Sequence, residues 1–589
     1  MSTEIILKNA ICLYAQGKFD DAENIFRHIL SSEPDNHQAF YFLGLIAMEK
    51  SAYDVALDYL YRATTICPKN DDYRYTLGVA LQESGRIKEA ASIYKKLPDM
   101  AEAHNNLANI YRQEGKTKQA LAHFDKALSL NPTMVYALLN KALLIRQNDI
   151  QEALKFIQKT IKLKADFWEG FFQLGVTYRL LEKYKQSEEY LKKALDLCSG
   201  FAPLWNAYGL TLVKLGKTDE AIACFDKAVA VNAFYDEAYF NKATSLEALG
   251  KIDEAEKSYR DAIRCNPSFI DALNNLGALL YSQNRLTEAL DLYRNVIIID
   301  NKNKNACFNI ALILDDLNDY QQAAGLYLNV LSLDRKEKEV HLRLASMLPR
   351  WFEENATDAV QFCEIWLKLF PSNPFAKHAY NSLKGKIDEE TLKAYSQNLY
   401  DAFADTYNQK MKELECRVPE YVKDHLPKQK NLSVLDLGCG TGTCGHFLKP
   451  LARRLIGVDI SKSMIEKAKQ RKLYTTLKQS DAIEFLEKSK IKFDLIVAAD
   501  VLCYLTNLPK LFQAVAEKLS EKGQFIFTIE KTEKENYELS LNGRVFHNFD
   551  YVKNELSASG LDISIKEKIN LRREKDDFAK GYIIIAERK

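Results

Sequence analysis

Val434-Leu-Asp-Leu-Gly-Cys-Gly-Thr-Gly442, followed by Gly457-Val-Asp459, puts a glycine-crowded turn and a carboxylate at the ends of two short apolar runs. Glycine lets the backbone adopt positive φ and press against a ligand. A carboxylate closing the second run is placed to grip ribose hydroxyls. That is the chemistry of a nucleotide-type cofactor. Read literally, Gly440-Thr-Gly442-Thr-Cys-Gly445 matches the dinucleotide fingerprint GxGxxG, with Asp459 near the expected acidic position. Against a dinucleotide stand Asp436, where a dehydrogenase has an apolar residue, and the form Asp-x-Gly-x-Gly-x-Gly, which suits an amino-acid tail better than a pyrophosphate. A short hairpin predicted at the end of the chain also argues against it.

The elements that must hold these residues alternate. The pattern predicts strands at Leu432–Leu437, Leu455–Val458, Thr475–Gln479, Phe493–Ala498 and Gln524–Ile529. It predicts helices near 443–452, 461–471, 481–488, 507–519 and 549–559, then strands Asp562–Lys568 and Tyr582–Ala586. This is an α/β, Rossmann-like, doubly wound sheet of seven strands whose last strand runs antiparallel. Helices over about 388–424, including Tyr400–Tyr407, precede it.

With 589 residues the chain needs several cores, and 81 Lys+Arg against 80 Asp+Glu give a formal charge of +1, which offers no global field for nucleic acid. No apolar run suits a membrane span and the N-terminus lacks a signal-peptide pattern. Eleven cysteines without a CxxC pair read as reduced core thiols, predicting a cytoplasmic protein with no metal site.

The first two thirds repeat every 34 residues. The second helix of each unit reads Ala22/Phe26/Ile29, Ala56/Leu60/Ala63, Ala90/Tyr94/Leu97, Ala120/Phe124/Ala127, and so on to Ala323/Tyr327/Val330. First helices carry Gly44, Gly78, Ala108, Gly175, Gly209, Ala243, Gly277 and Ala311. Small residues at fixed offsets let helices approach, and aromatics fill the gap to the next pair. This resembles the tetratricopeptide repeat, with about ten copies, the third shortened before Ala101 and a degenerate cap over 338–385. The organisation expected is an all-α superhelix over 1–385, a helical lid or linker over 386–430, and the α/β domain over 431–589.

Such arrays bind proteins or peptides. At one register of successive first helices stand Asn106, Asn140, Gln173, Asn241, Asn275 and Asn309, with Ala207 breaking the run beside Asn206. Stacked amides can pair with peptide units whatever their side chains; the pattern is similar to the asparagine ladder of O-linked N-acetylglucosamine transferase. The alternative is amides satisfying neighbouring loops.

Residues from about 390 to 589 resemble the class I S-adenosylmethionine-dependent methyltransferases. The resemblance implies S-adenosylmethionine as cofactor, with Asp436, Gly438, Gly440 and Gly442 toward the methionine portion and ribose. It places Asp459 on the ribose hydroxyls, Ile460 and Met464 against the adenine, and Asp481 and Ala482 at the adenine edge, the alternative for Asp481 being a cap on the next helix. A closer resemblance is to bacterial predicted methyltransferases with tetratricopeptide repeats. It implies a lid with Tyr400 and Tyr407 and an acceptor pocket walled by Ala499–Leu505 and Gly543, Arg544 and His547. Candidate catalytic groups are Asp500, Tyr504, Arg544 and His547; Arg544 could instead hold a structural acid, and His547 could be packed in a loop. The Asn-Pro-Pro-Tyr type motif of amide and nucleobase N-methylation and the paired glutamates of arginine methyltransferases are absent. Three readings stay open: a methyltransferase whose repeats recruit a protein, a small-molecule methyltransferase whose repeats assemble a complex, and a non-catalytic scaffold.

Overall fold

The computed structural model describes residues 3–574 and 577–588. It divides into two compact units, Met1–Leu279 and Leu280–Lys589. The first unit is a succession of helix pairs from Thr3–Ala15 and Phe19–Ser32 onward. The repeat signature explains the packing. Ala22, Ala56, Ala90, Ala120, Ala153, Ala221 and Ala255 are fully buried, as are Phe26, Tyr94, Phe124, Phe225 and Tyr259. Each such aromatic contributes roughly 2–3 kcal/mol of burial. A Cβ on Gly44 would lie 2.7 Å from Leu60, and one on Gly209 would lie 2.6 Å from Phe225, so glycine sets the helix approach. The third repeat's second helix is cut to Ile87–Tyr94, as its shortened sequence predicts.

The second unit begins with the remaining repeat helices, through Pro374–Leu383, and continues into Glu389–Phe403 and the α/β domain. The chain therefore divides by contact inside the repeats, whereas the 34-residue period ends near 385. The helices Pro374–Leu383 and Glu389–Phe403 pack on one another, with His378 stacked on Tyr395 at 3.9 Å between ring centroids.

The sheet comprises β1 (Leu432–Leu437), β2 (Ala452–Asp459), β3 (Thr476–Gln479), β4 (Phe493–Ala498), β5 (Leu519–Glu530), β8 (Leu561–Glu574) and β9 (Asp577–Arg588), in the order β3-β2-β1-β4-β5-β9-β8. The first four pairings are parallel, and β9 runs antiparallel to both β5 and β8. Alternation splits the core: Leu435 and Leu437 join one buried cluster and Val434 the cluster on the other face. The order reverses at β1, so β1 and β4 flank the switch point, where ligands bind beyond the carboxyl ends of strands.

Three local expectations are corrected. The helix read through Tyr400–Tyr407 ends at Phe403, turns over 404–406 and restarts as Tyr407–Glu413. The helix expected over 443–452 is only Gly445–Leu448 plus a 3₁₀ turn Lys449–Leu451, because β2 starts at Ala452. A small antiparallel pair, β6 (Tyr537–Leu539) and β7 (Val545–His547), follows β5. No helix among the described residues is long and apolar enough to cross a membrane.

Candidate functional site

The turn after β1 is held by its own backbone. Gly438 and Cys439 N–H groups donate to the Val458 carbonyl at 2.8 and 3.0 Å. Gly438 has φ +72°, and a Cβ there would meet Val501 at 2.4 Å, so no other residue fits. Asp459 at the end of β2 accepts from the Gly440 N–H through Oδ2 and from the Ser461 N–H through Oδ1, each at 2.8 Å. Burial pushes its carboxyl up to about 6, with those two N–H groups pulling it back. Both oxygens keep a lone pair for a further donor.

Two cavities meet at this turn. The first, about 760 Å³ of space free of protein atoms, is lined by Tyr407, Gly438, Gly440, Asp459, Ile460, Met464, Asp481, Ala482, Asp500 and Tyr504 among others. The second holds Asp436 with Arg417 and Glu420. They share Tyr407, Gly438, Gly440, Ala499 and Asp500. Ten residues were expected at the cofactor; eight line the first cavity, Asp436 the second, and Gly442 neither. Asp481 lines the cavity and also caps Ala482–Lys488, accepting from the Ile483 and Glu484 N–H groups at 3.0 and 3.1 Å.

Gly442 serves a residue that the sequence did not single out. Tyr474 donates its hydroxyl to Asp436 Oδ2 at 2.6 Å. A Cβ on Gly442, Gly445 or Gly457 would lie 3.0, 2.9 or 2.8 Å from the Tyr474 ring. The apparent dinucleotide fingerprint thus arises partly from room for an aromatic ring. Burial raises the Asp436 carboxyl to about 7, against the Tyr474 hydrogen bond, which lowers it.

A lid closes over the cavities at three ties. Thr506 donates to Glu389 at 2.9 Å, Ser461 to Asp401 at 2.6 Å, and Thr441 to Asn408 at 2.7 Å. Tyr400 packs edge-on against both Tyr407 (6.0 Å) and Tyr504 (5.5 Å). Burial holds all three phenols above their ordinary range.

The four candidate catalytic groups do not converge on the cavity. Asp500 and Tyr504 line it, with Asp500 at φ +58° and its N–H donated to Thr528 at 2.9 Å. Arg544 lies behind them, bonded to Asp500, to Glu530 and, at 3.1 Å, to the Tyr504 hydroxyl. Arg572 forks onto Glu530 at 2.7 and 3.1 Å. Burial opposes the Arg544 charge, but Asp500 and Glu530 hold it well above its ordinary range. Arg544 therefore holds structural acids, and its guanidinium is committed before any acceptor arrives. Glu530 and Arg572 were not foreseen, although an acid closing the apolar run Phe525–Ile529 is a legible oddity. Asp500, Cys503 and Glu530 approach one another as metal ligands would, but Arg544 bonds all three.

His547 does not wall the cavity either. It sits fully buried in β7, donating through Nε2 to the Leu502 carbonyl at 3.0 Å, with Nδ1 unpartnered. Burial lowers it to about 4, so it is neutral, and it does not itself line the cavity.

The expected ladder amides are half-buried on the first helices. Several face tyrosines of their own array: Asn106 donates to Tyr75 and Tyr94 (3.3 Å each) and Asn275 to Tyr259 (3.4 Å). Asn241 donates to Asn206 (2.9 Å), and Gln173 accepts from Arg146 (3.0 Å). Asn140 and Asn309 sit at the same register.

Residues 428–570 match a family model described as a methyltransferase domain, and tetratricopeptide-repeat models match 7–71, 101–134, 169–200, 207–304 and 306–340. The chain carries tetratricopeptide repeats and a methyltransferase domain. It is 27% identical to a TPR repeat-containing protein of Methanocaldococcus jannaschii over 40% of this chain and 45% of that one. It is 29% identical to Tetratricopeptide repeat protein 13 of Homo sapiens over 30% of this chain and 22% of that protein. The chain thus spans less than half the length of these relatives. A 27% identity to the ubiquinone biosynthesis O-methyltransferase of Pelagibacter ubique covers 26% of this chain and 72% of that enzyme. Among solved structures, YrrB, a TPR protein with an unusual peptide-binding site, matches at 27% identity with a TM-score of 0.27, over 31% of this chain and 95% of that one.

Proposed function

We propose that this methyltransferase domain uses S-adenosylmethionine and that the repeats recruit a protein bearing the acceptor. The observation that carries the cofactor is the pair of cavities meeting at Gly438 and Gly440, with Asp459 on one side and Asp436 on the other. Asp459 has lone pairs left for two ribose hydroxyls, Ile460 and Met464 offer apolar contact to a base, and the second cavity has polar groups for an amino-acid tail. S-adenosylmethionine supplies a methyl group on a sulfonium that needs alignment and exclusion of water more than activation. Tyr400 and Tyr407 exclude water. Asp500 is the one carboxylate lining both cavities; Arg544 fixes it where it can accept a hydrogen bond from the acceptor.

Calorimetric titration of the full chain with S-adenosylmethionine tests the cofactor, with Asp459→Ala as the variant that must lose binding. Tritiated methyl transfer into lysate, separated into protein and metabolite fractions, tests the acceptor. Label confined to metabolites would favour a small hydroxylated acceptor, the reading suggested by likeness to the Pelagibacter enzyme, over protein recruitment.

A further inference from the structure

Six residues beyond the amide register, successive first helices carry Arg112, Arg146 and Arg179, then Val213, Glu247, Tyr281 and Asp315. Arg146 and Arg179 are half-buried. No carboxylate of the described residues lies within ion-pairing distance of either. Arg146 gives one N–H to the Gln173 amide at 3.0 Å, and the buried Arg179 Nε has no hydrogen-bond partner. Burial lowers both guanidinium groups, and the Arg179 charge pushes Arg146 further down; only the Tyr184 phenol acts in the other direction, on Arg179, and no carboxylate does.

Asp315, at this register of a later first helix, shows the partner an arginine ordinarily finds: Arg350 pairs with it at 2.7 Å. Half-buried guanidinium groups are rarely left without an oxyanion, because their planar fork matches one so well. Two in succession with none, beside a ladder amide, are a site whose counter-charge comes from outside the chain.

We propose that Arg146 and Arg179 form an oxyanion subsite on the repeat face that takes the carboxylates of an extended acidic peptide segment. The segment commits to Asp or Glu side chains on alternate residues, which an extended backbone presents on one side. This deepens the protein-recruitment reading and rests on it: the partner is selected by acidic side chains, while ladder amides would hold its backbone without regard to sequence.

The test is fluorescence anisotropy of the full chain with a fluorescein-labelled peptide of six Glu-Gly repeats against its Gln-Gly counterpart. The expected result is at least tenfold tighter binding of the glutamate peptide. That preference falls below twofold in Arg146→Gln/Arg179→Gln and survives in Lys155→Gln/Lys159→Gln, which removes equal charge from a second helix, and in Arg350→Gln. Should the arginine pair fail to fold as glutamines, Arg146→Lys/Arg179→Lys must still weaken the preference, since lysine lacks the fork. Equal affinity for the two peptides, or a preference lost equally in the lysine control, overturns the subsite. Binding of a phosphoserine peptide with none of the glutamate peptide overturns the carboxylate commitment. Label transfer into protein with no glutamate preference removes this inference alone; a glutamate preference without label transfer removes only the enzymatic reading.

Discussion

His378, on the helix Pro374–Leu383, donates through Nε2 to the carbonyl of Gly543 at 2.9 Å, across 165 residues of chain. The next residue is Arg544, whose guanidinium fixes Asp500 at the cavity. A helix outside the matched methyltransferase region thus braces the loop behind the site.

Loss of that brace is expected to destabilise the second unit. His378→Ala removes the hydrogen bond and the Tyr395 stack and strands a buried carbonyl, at a cost of roughly 2–4 kcal/mol. Gly543→Ala, at φ +79° and 2.5 Å from His378 Nε2, is expected to cost about 1–3 kcal/mol. Urea unfolding of the full chain checks both; midpoints within error of the parent would refute the brace.

Acid sensitivity follows from two of the buried histidines, His378 and His547. Burial lowers His378 and His547 from 6.5 to about 4. The unfolded state takes up a proton first, so the stability each neutral ring contributes is full above pH 6.5 and is lost as pH falls toward 4. The limit is about 3 kcal/mol per histidine. The thermal midpoint is expected to fall steeply over that window, and His547→Gln to flatten the fall. A profile unchanged between pH 7 and 4.5 would contradict this.

Cofactor affinity should fall on acidification at a higher pH than an ordinary aspartate would set. Asp459 must be ionised to accept from two hydroxyls, and its carboxyl is raised to about 6. Binding is therefore fullest above pH 6 and weakens about tenfold per unit below it, with proton release on binding near that value. Asp459→Ala is expected to lose roughly 2–4 kcal/mol of binding at pH 7.5. Calorimetry in two buffers of different ionisation enthalpy measures the released proton; zero protons at pH 6 would count against Asp459.

Arg544 tests the buried charge cluster. Arg544→Ala leaves Asp500 without its nearest cation and Glu530 with Arg572 alone, for an expected loss of about 3–5 kcal/mol. A double-mutant cycle with Asp500→Ala should recover more than about 1 kcal/mol as coupling. Additive losses would mean that the pair does not act together.

What the sequence disclosed tracks with how locally each feature is encoded. The repeats were legible because ten copies report the same helix contact, and β1, β2, β4 and β5 because each is an apolar run ending at a turn. The break at 404–406 was hidden, since Ala404-Asp-Thr406 tolerates a helix and the turn is imposed by docking through Asp401 and Asn408. β6 and β7 span three residues each, too short for a period to register. His547 and Arg544 were found as residues, but the sequence left two roles open for each. Their partners, Leu502 and the Asp500–Glu530 acids, lie 14 to 45 residues away along the chain, where no spacing rule reaches.

The ring of Tyr474, nested against three glycines and hydrogen-bonded to Asp436, bears on how this chain can change over generations. Gly445 answers to that one distant phenol, whereas Gly442 is also held by its φ of +86° and Gly457 by Leu477 at 2.7 Å. A lineage that shrank Tyr474 would free Gly445 first and leave Asp436 without its donor. One that kept the tyrosine would preserve a glycine signature easily mistaken for a different cofactor's.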